Sequence, residues 1–192
     1  MKPHDIQALL DALERPGGVV LYPTETVYGL GGRAGDSAAA HRIARIKGRP
    51  LEPLIVLINA LPETASPRAK WLAERFWPGP LTLLIPSWEA IAAEVCAPDG
   101  TVGVRFSPHA VAQAIVQAVG PITSTSANHT GMRPAQDFSD LGALIEQVDA
   151  AYDGGLLHPS APSTIVNGQT GEIIREGAIS RSALEAALAD FS

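Results

Sequence analysis

The chain has 192 residues, 46% of them hydrophobic and 18% charged, with a net charge of −6; this suits one globular domain over residues 1–192 and disfavours a generally basic nucleic-acid binder, though not a local positive patch. A lone cysteine, Cys96, excludes a disulfide framework or thiolate cluster, and five scattered histidines lack metal-ligand spacing, so no protein-held metal is expected. With neither a membrane-length apolar run nor a signal-peptide pattern, no membrane partner is expected and the expected location is cytoplasmic.

Residues 5–13 carry Ile6, Leu9, Leu10 and Leu13 at the spacing of an amphipathic helix. Gly17 and Gly18 then admit a short run, Val19, Val20, Leu21 and Tyr22, that reads as a buried strand. Pro23 cannot donate to a ladder, so pairing should stop there. A loop rich in hydroxyls and glycine is expected next: Thr24, Glu25, Thr26 and Tyr28, then Gly29, Gly31 and Gly32. Glycine permits positive φ and close approach of a ligand, so such a loop between a strand and a helix suits an anion. A tight, ligand-free connection would explain the glycines alone; the two threonines and the tyrosine favour a site. The Walker pattern is absent, and the G-x-G-x-x-A letters at 29–34 are separated from the strand by residues 23–26.

Asp36 and Ser37 can cap a helix that runs to Lys47, with Ala39, Ile43 and Ile46 on one face. Gly48 stands where a C-terminal glycine belongs, and Pro50 forbids continuation. Residues 54–58 are wholly apolar, as in a strand covered on both faces. A helix over 67–77 leads through the rigid turn Trp77-Pro78-Gly79-Pro80 into a strand over 81–85. Further on, the pattern predicts a helix around 88–95, a strand over 101–105, a helix over 109–119, a short strand over 122–125 and an amphipathic helix over 137–148. Residues 163–167 and 172–175 read as a hairpin, and Ser180 can cap a last helix reaching about Phe191. Interleaved strands and helices with a late hairpin predict a single α/β domain built on a twisted, mixed sheet.

Several polar groups stand out. Lys47 and Arg49 end a helix, where the macrodipole favours cations by about 0.3–1 kcal/mol each. Gly48 and Pro50 would also hold the two cations rigidly enough to clamp a phosphate. Ser124, Thr125, Ser126 and Asn128 cluster at a strand end, which a turn or cap would also explain. Arg105 and Arg175 each close an apolar strand and could point into a cleft, while Ser163 and Thr164 open another.

In chain order, Y-P-T-E-T-V-Y-G-L-G, K-G-R-P, W-P-G-P-L-T, V-G-V-R, T-S-A-N-H-T-G, P-S-T-I-V and I-I-R-E-G resemble the YrdC/TsaC threonylcarbamoyl-AMP synthases over about residues 10–179. The resemblance implies the short, single-domain form: a twisted mixed sheet with helices around a concave, positively charged site. It also implies a nucleotidyltransferase that makes threonylcarbamoyl-adenylate and pyrophosphate from L-threonine, bicarbonate and ATP, with Mg²⁺ assisting. The product serves modification of an adenosine beside the anticodon of certain tRNAs, with downstream transfer proteins as partners. On this resemblance the catalytic tetrad falls on Lys47, Arg49, Ser126 and Asn128. Threonine lies near Thr24, Arg105, Ser124 and Ser163, and the nucleotide near Arg49, Thr101, Ser126 and Arg175. No general base is evident. The chain departs from the family pattern at Leu51-Glu52, at Leu57, where many members carry histidine, and at residues 132–134. Two other readings stay open: a non-catalytic protein binding double-stranded RNA in translation, and a paralogue acting on another carbamoyl-adenylate.

Overall fold

The computed structural model describes residues 5–158 and 161–191. Its helices begin where short polar side chains can satisfy the unpaired N–H groups of a first turn. Asp5 accepts from Gln7 and Ala8 ahead of α1 (Ile6–Leu13), and Asp36 accepts from Ala38 and Ala39 ahead of α2 (Ser37–Lys47). Gly48 ends α2 at φ +65°, a left-handed cap that glycine adopts without a Cβ penalty. Ser66 caps α3 (Pro67–Phe76), the His109 ring accepts from Val111 at the start of α4 (Ala110–Val119), and Ser180 caps α5 (Arg181–Ala189).

Among the described residues nine strands form one mixed sheet: β1 (Val20–Pro23), β2 (Tyr28–Gly31), β3 (Ile55–Leu57), β4 (Leu81–Pro86), β5 (Thr101–Arg105), β6 (Ile122–Ser126), β7 (Ala150–Ala151), β8 (Thr164–Asn167) and β9 (Ile173–Arg175). Their order is β7-β1-β2-β6-β3-β5-β4-β8-β9. β1 with β7, β3 with β5 and β4 with β8 run parallel, and the other pairs run antiparallel. Leu9, Leu13, Ala112, Ile115 and Val116 of α1 and α4 cover one face of the sheet, packing on Val20, Tyr22, Leu57 and Ile122. The other face, including Leu21, Leu30, Val56, Leu83 and Val104, packs with residues of α2, α3 and α5. Each fully buried Leu or Ile there is worth about 1.5–3 kcal/mol of transfer free energy.

The stretch read as a glycine-rich loop before a helix is instead β2, the second arm of a hairpin with β1. Gly29, Gly31 and Gly32 are there for space, not for positive φ. A Cβ on Gly31 would lie 1.9 Å from the Thr123 carbonyl oxygen, and one on Gly29 would press on the Tyr22 ring at 3.1 Å. Residues 88–95 contain one short 3-10 turn, Ala93–Val95, in place of a helix. Residues 137–148 form 3-10 turns broken at Gly142 (φ +48°), so an amphipathic pattern is present without a continuous α-helix. The strand expected over 54–58 narrows to β3, whose Ile55 is only partly buried. β7, two alanines long, was not anticipated.

Candidate active site

Pairing register decides which side chains share a face of a sheet, because directly opposed residues point the same way. Gly29 opposes Ser126, Ile55 opposes Ser124, Leu57 opposes Arg105, and Arg105 opposes Thr82 on its other side. Thr82 opposes Ile165, which opposes Arg175. One face therefore carries Ser126, Ser124, Leu57, Arg105 and Arg175 in a row. Beside the part that α1 and α4 cover, this face opens into a cavity of about 370 Å³. Its walls include Thr24, Glu25, Ile55, Leu57, Arg105, Ser124, Ser126, Ser163 and Arg175.

The hairpin turn between β1 and β2, residues 24–27, is held by one side chain. The Thr24 hydroxyl donates to the Val27 carbonyl at 2.6 Å and accepts from the N–H groups of Thr26 and Val27. That places Glu25 against Arg105, with which it forms an ion pair. The second carboxylate oxygen of Glu25 accepts from the Ser107 hydroxyl at 2.5 Å. Ser107 in turn accepts from the His109 N–H, so the start of α4 fixes the carboxylate. Arg105 is 8% exposed, and its Nε has no hydrogen-bond partner. Burial lowers its pKa to about 10; Tyr22 opposes that shift and Arg175 adds to it. The guanidinium remains a cation at neutral pH.

Other hydroxyls are also held in place. Ser163 meets the buried Thr82 hydroxyl at 2.8 Å, and Arg175 donates to the Ser163 carbonyl at 2.9 Å. Burial pushes the Tyr22 phenol well above its ordinary range, and a Ser124 hydrogen bond works against that shift. A neutral phenol beside Ser124 leaves Arg105 and Arg175 as the cations of this wall.

Four of the anticipated residues sit differently from expectation. Lys47 was expected at a helix end as one arm of a phosphate clamp, but it is 3% exposed and does not line the cavity. Its Nζ donates to the Ser126 carbonyl at 2.6 Å, to the Asn128 carbonyl at 3.0 Å and to Asn128 Oδ1 at 3.3 Å. Burial, with the neighbouring Arg49, lowers its pKa to about 8, and Glu52 works against that shift. Asn128, also outside the wall, accepts from the Ser126 hydroxyl at 2.5 Å and donates to the carbonyls of His129 and Met132. Lys47 and Asn128 together brace the loop that presents Ser126. Arg49 lies off the cavity wall, paired with Glu52 at 2.8 Å. Thr101 opens β5, four residues from Arg105 along the strand, and its hydroxyl donates to Asp99 at 2.6 Å; it is not brought into the site. Glu25 is the wall residue whose position sequence reasoning left unassigned, because its partner lies 80 residues further along the chain.

The Sua5/YciO/YrdC family model, described as Telomere recombination, matches residues 12–177. Threonylcarbamoyl-AMP synthase of Pyrococcus abyssi is 36% identical over 162 residues, covering 80% of this chain and 48% of that protein. The chain thus spans about half the length of that curated relative. Among solved structures, P. abyssi Sua5 complexed with L-threonine superposes with a TM-score of 0.86 at 31% identity, over 96% of this chain and 57% of its own. E. coli YciO superposes with a TM-score of 0.76 at 27% identity, over 95% of this chain and 96% of its own. The matched segment, residues 12–177, includes every wall residue from Thr24 to Arg175 and every strand of the sheet that carries them; this chain belongs to the Sua5/YciO/YrdC family.

Proposed function

We propose that this chain, as one YrdC-like domain over residues 1–192, makes threonylcarbamoyl-AMP and pyrophosphate from L-threonine, bicarbonate and ATP. One observation carries the reading: a single cavity brings the hydroxyl residues Thr24, Ser124 and Ser163 onto one wall with the buried cation Arg105. That lining matches a small amino acid with a carboxylate and a side-chain hydroxyl. An arginine fork suits the carboxylate, and fixed hydroxyls suit the alcohol. The relative bound to L-threonine supports the same assignment.

The threonine amine and bicarbonate condense to a carbamate with loss of water. A carbamate oxygen then bonds to the α-phosphorus of ATP, the bridging α–β P–O bond breaks, and its electron pair leaves with pyrophosphate. Positioning and charge stabilisation do most of this work. Ser126 and Arg175, on the wall, meet the nucleotide, and Arg49 exchanges its exposed partner Glu52 for phosphate. Such an exchange costs little, since exposed ion pairs are worth about 0–1 kcal/mol. Lys47 and Asn128 act through the loop that holds Ser126. Among the described residues no cluster of three or more His, Cys, Asp or Glu side chains could hold a metal. Mg²⁺, which keeps several waters and binds substrate phosphates with one or two carboxylates, would arrive on the nucleotide phosphates. The product feeds tRNA threonylcarbamoyladenosine formation in the cytoplasm through downstream transfer proteins.

The test is pyrophosphate release from ATP with each of threonine, serine and valine, with and without bicarbonate. Release should require bicarbonate and rank threonine above serine, with valine near background, because a site built around a hydroxyl is left with unpaired polar groups by valine. Equal rates with valine, or no stimulation by any amino acid, would overturn the assignment.

A further inference from the structure

Within the amino-acid subsite just proposed, on which this inference rests, we propose that Glu25 recognises the α-ammonium of the substrate. Arg105 and Glu25 stand side by side on the cavity wall as an ion pair. A free α-amino acid carries the complementary pair, a carboxylate and an ammonium two bonds apart on one carbon. Laid against the wall, its carboxylate faces Arg105 and its ammonium faces Glu25, so each charge meets its opposite.

The carboxylate of Glu25 is built to hold that place. Thr24 fixes the turn that carries it, and the Ser107 hydroxyl holds one oxygen. Ser107 is itself 3% exposed and tied to the start of α4. The Glu25 side chain keeps 19% of its surface open. A counterion needed only to neutralise Arg105 would not require a second anchor from α4. The pair also screens Arg105, so a carboxylate lacking an ammonium gains less attraction and meets Glu25 as a like charge. The subsite therefore selects zwitterions over simple carboxylic acids.

The experiment compares binding of L-threonine with binding of 2,3-dihydroxybutanoate, in which a hydroxyl replaces the ammonium, to the wild type and to Glu25→Gln. Wild type should prefer threonine by roughly 10- to 100-fold, the scale of one charge-assisted hydrogen bond. Glu25→Gln should bring the two affinities within about threefold, chiefly by losing threonine. Glu25→Asp, with a shorter carboxylate, should recover part of the preference and guards against a fold defect, which thermal unfolding monitors directly. If threonine binds the wild type and Glu25→Gln keeps the full preference, or weakens both ligands equally, Glu25 serves only to orient Arg105 and the inference falls. If the wild type binds neither ligand, the amino-acid subsite itself is wrong, which is a different failure.

Discussion

Replacing Lys47 with methionine separates a residue that touches phosphate from one that braces a loop. Its Nζ holds two carbonyls and an amide oxygen, at 2.6, 3.0 and 3.3 Å. Losing the ammonium leaves these acceptors unsatisfied at about 1–3 kcal/mol for each that stays buried. In the opposite direction, methionine removes the cost of burying a charge. The fall in pKa from 10.5 to about 8, at about 1.4 kcal/mol per pH unit, puts that cost near 3 kcal/mol. Three such acceptors cost about 3–9 kcal/mol, so with that gain set against them Lys47→Met should lower the unfolding free energy at pH 7 by about 0–6 kcal/mol. Pyrophosphate release should nevertheless fall at least 100-fold, because Ser126 and Asn128 lose their brace; a misplacement of about 1 Å is enough for that. A second signature concerns pH. Since the folded pKa lies below the unfolded one, the native state releases its proton first, and between about pH 8 and 10.5 the unfolded chain holds more protons. Wild-type stability should gain from this group as pH rises through that window, and Lys47→Met should lack the gain. Urea unfolding at pH 7.5 and 9.5, with activity measured at pH 7.5, checks both. Loss of activity in a Lys47→Met variant that keeps the wild-type gain in stability between pH 7.5 and 9.5 would refute the bracing role and return Lys47 to direct contact.

Gly31→Ala should destabilise the fold by about 3 kcal/mol or more in urea unfolding, since its Cβ would lie 1.9 Å from a backbone oxygen; a loss under about 0.5 kcal/mol would show that the strands do not approach so closely. Burial holds the His109 pKa below its ordinary value, and its Nδ1 accepts the Val111 N–H at 3.2 Å. Its capping contribution, about 1 kcal/mol, is full above pH 6.5 and is lost as pH falls toward the lower folded value; His109→Ser should flatten that part of the acid decline in urea melts at pH 7.5 and 5. Thr101→Ala should leave the KM for ATP within about twofold of wild type, whereas Arg175→Ala should raise it about tenfold or more, the scale of one charged hydrogen bond; steady-state kinetics with ATP varied would expose an error if the two variants behaved alike.

Local chemistry made much of this fold legible. The Asp36 cap, the Ile43–Ile46 face and Gly48 mark both ends of α2 without reference to any other element. β2 was lost because glycine serves two needs that look alike in a sequence: positive φ, and room for a neighbouring backbone. Here the neighbour is Thr123, which no local pattern near Gly31 announces. Gly142 breaks the turns of residues 137–148 without disturbing their apolar spacing, so periodicity alone overstated the helix. Two alanines in β7 carry no strand signal; they pair because Val20 and Leu21 present an open edge. At the site, Arg105, Ser124, Ser126, Ser163 and Arg175 were legible as strand-end polar residues, and all line the cavity. Lys47 reads from the sequence as one arm of a clamp at a helix end; that its ammonium instead turns to the carbonyls of Ser126 and Asn128 depends on chain about 80 residues away. Thr101 shares a strand with Arg105, but four residues of strand, at about 3.3 Å each, put it about 13 Å away.

β6 joins the sheet in an unusual way, with consequences for how the molecule folds. Residues Ile122 to Ser124 pair with β3, while Thr125 and Ser126 pair with β2 on the other side. This one five-residue strand is thus the seam between the β7-β1-β2 ribbon and the remaining strands, and it also carries two site hydroxyls. Thr125 must find Leu30, and Ser124 must find Ile55, across long intervening stretches of chain, so the seam closes only after large loops have been ordered. No intermediate that lacks the β7-β1-β2 ribbon can present Thr24 together with Ser124 and Arg105 to a ligand. Ligand affinity is therefore a reporter of the completed sheet, and a ligand present at 100 times its Kd would favour that state by about 2.7 kcal/mol at the expense of every partly folded form.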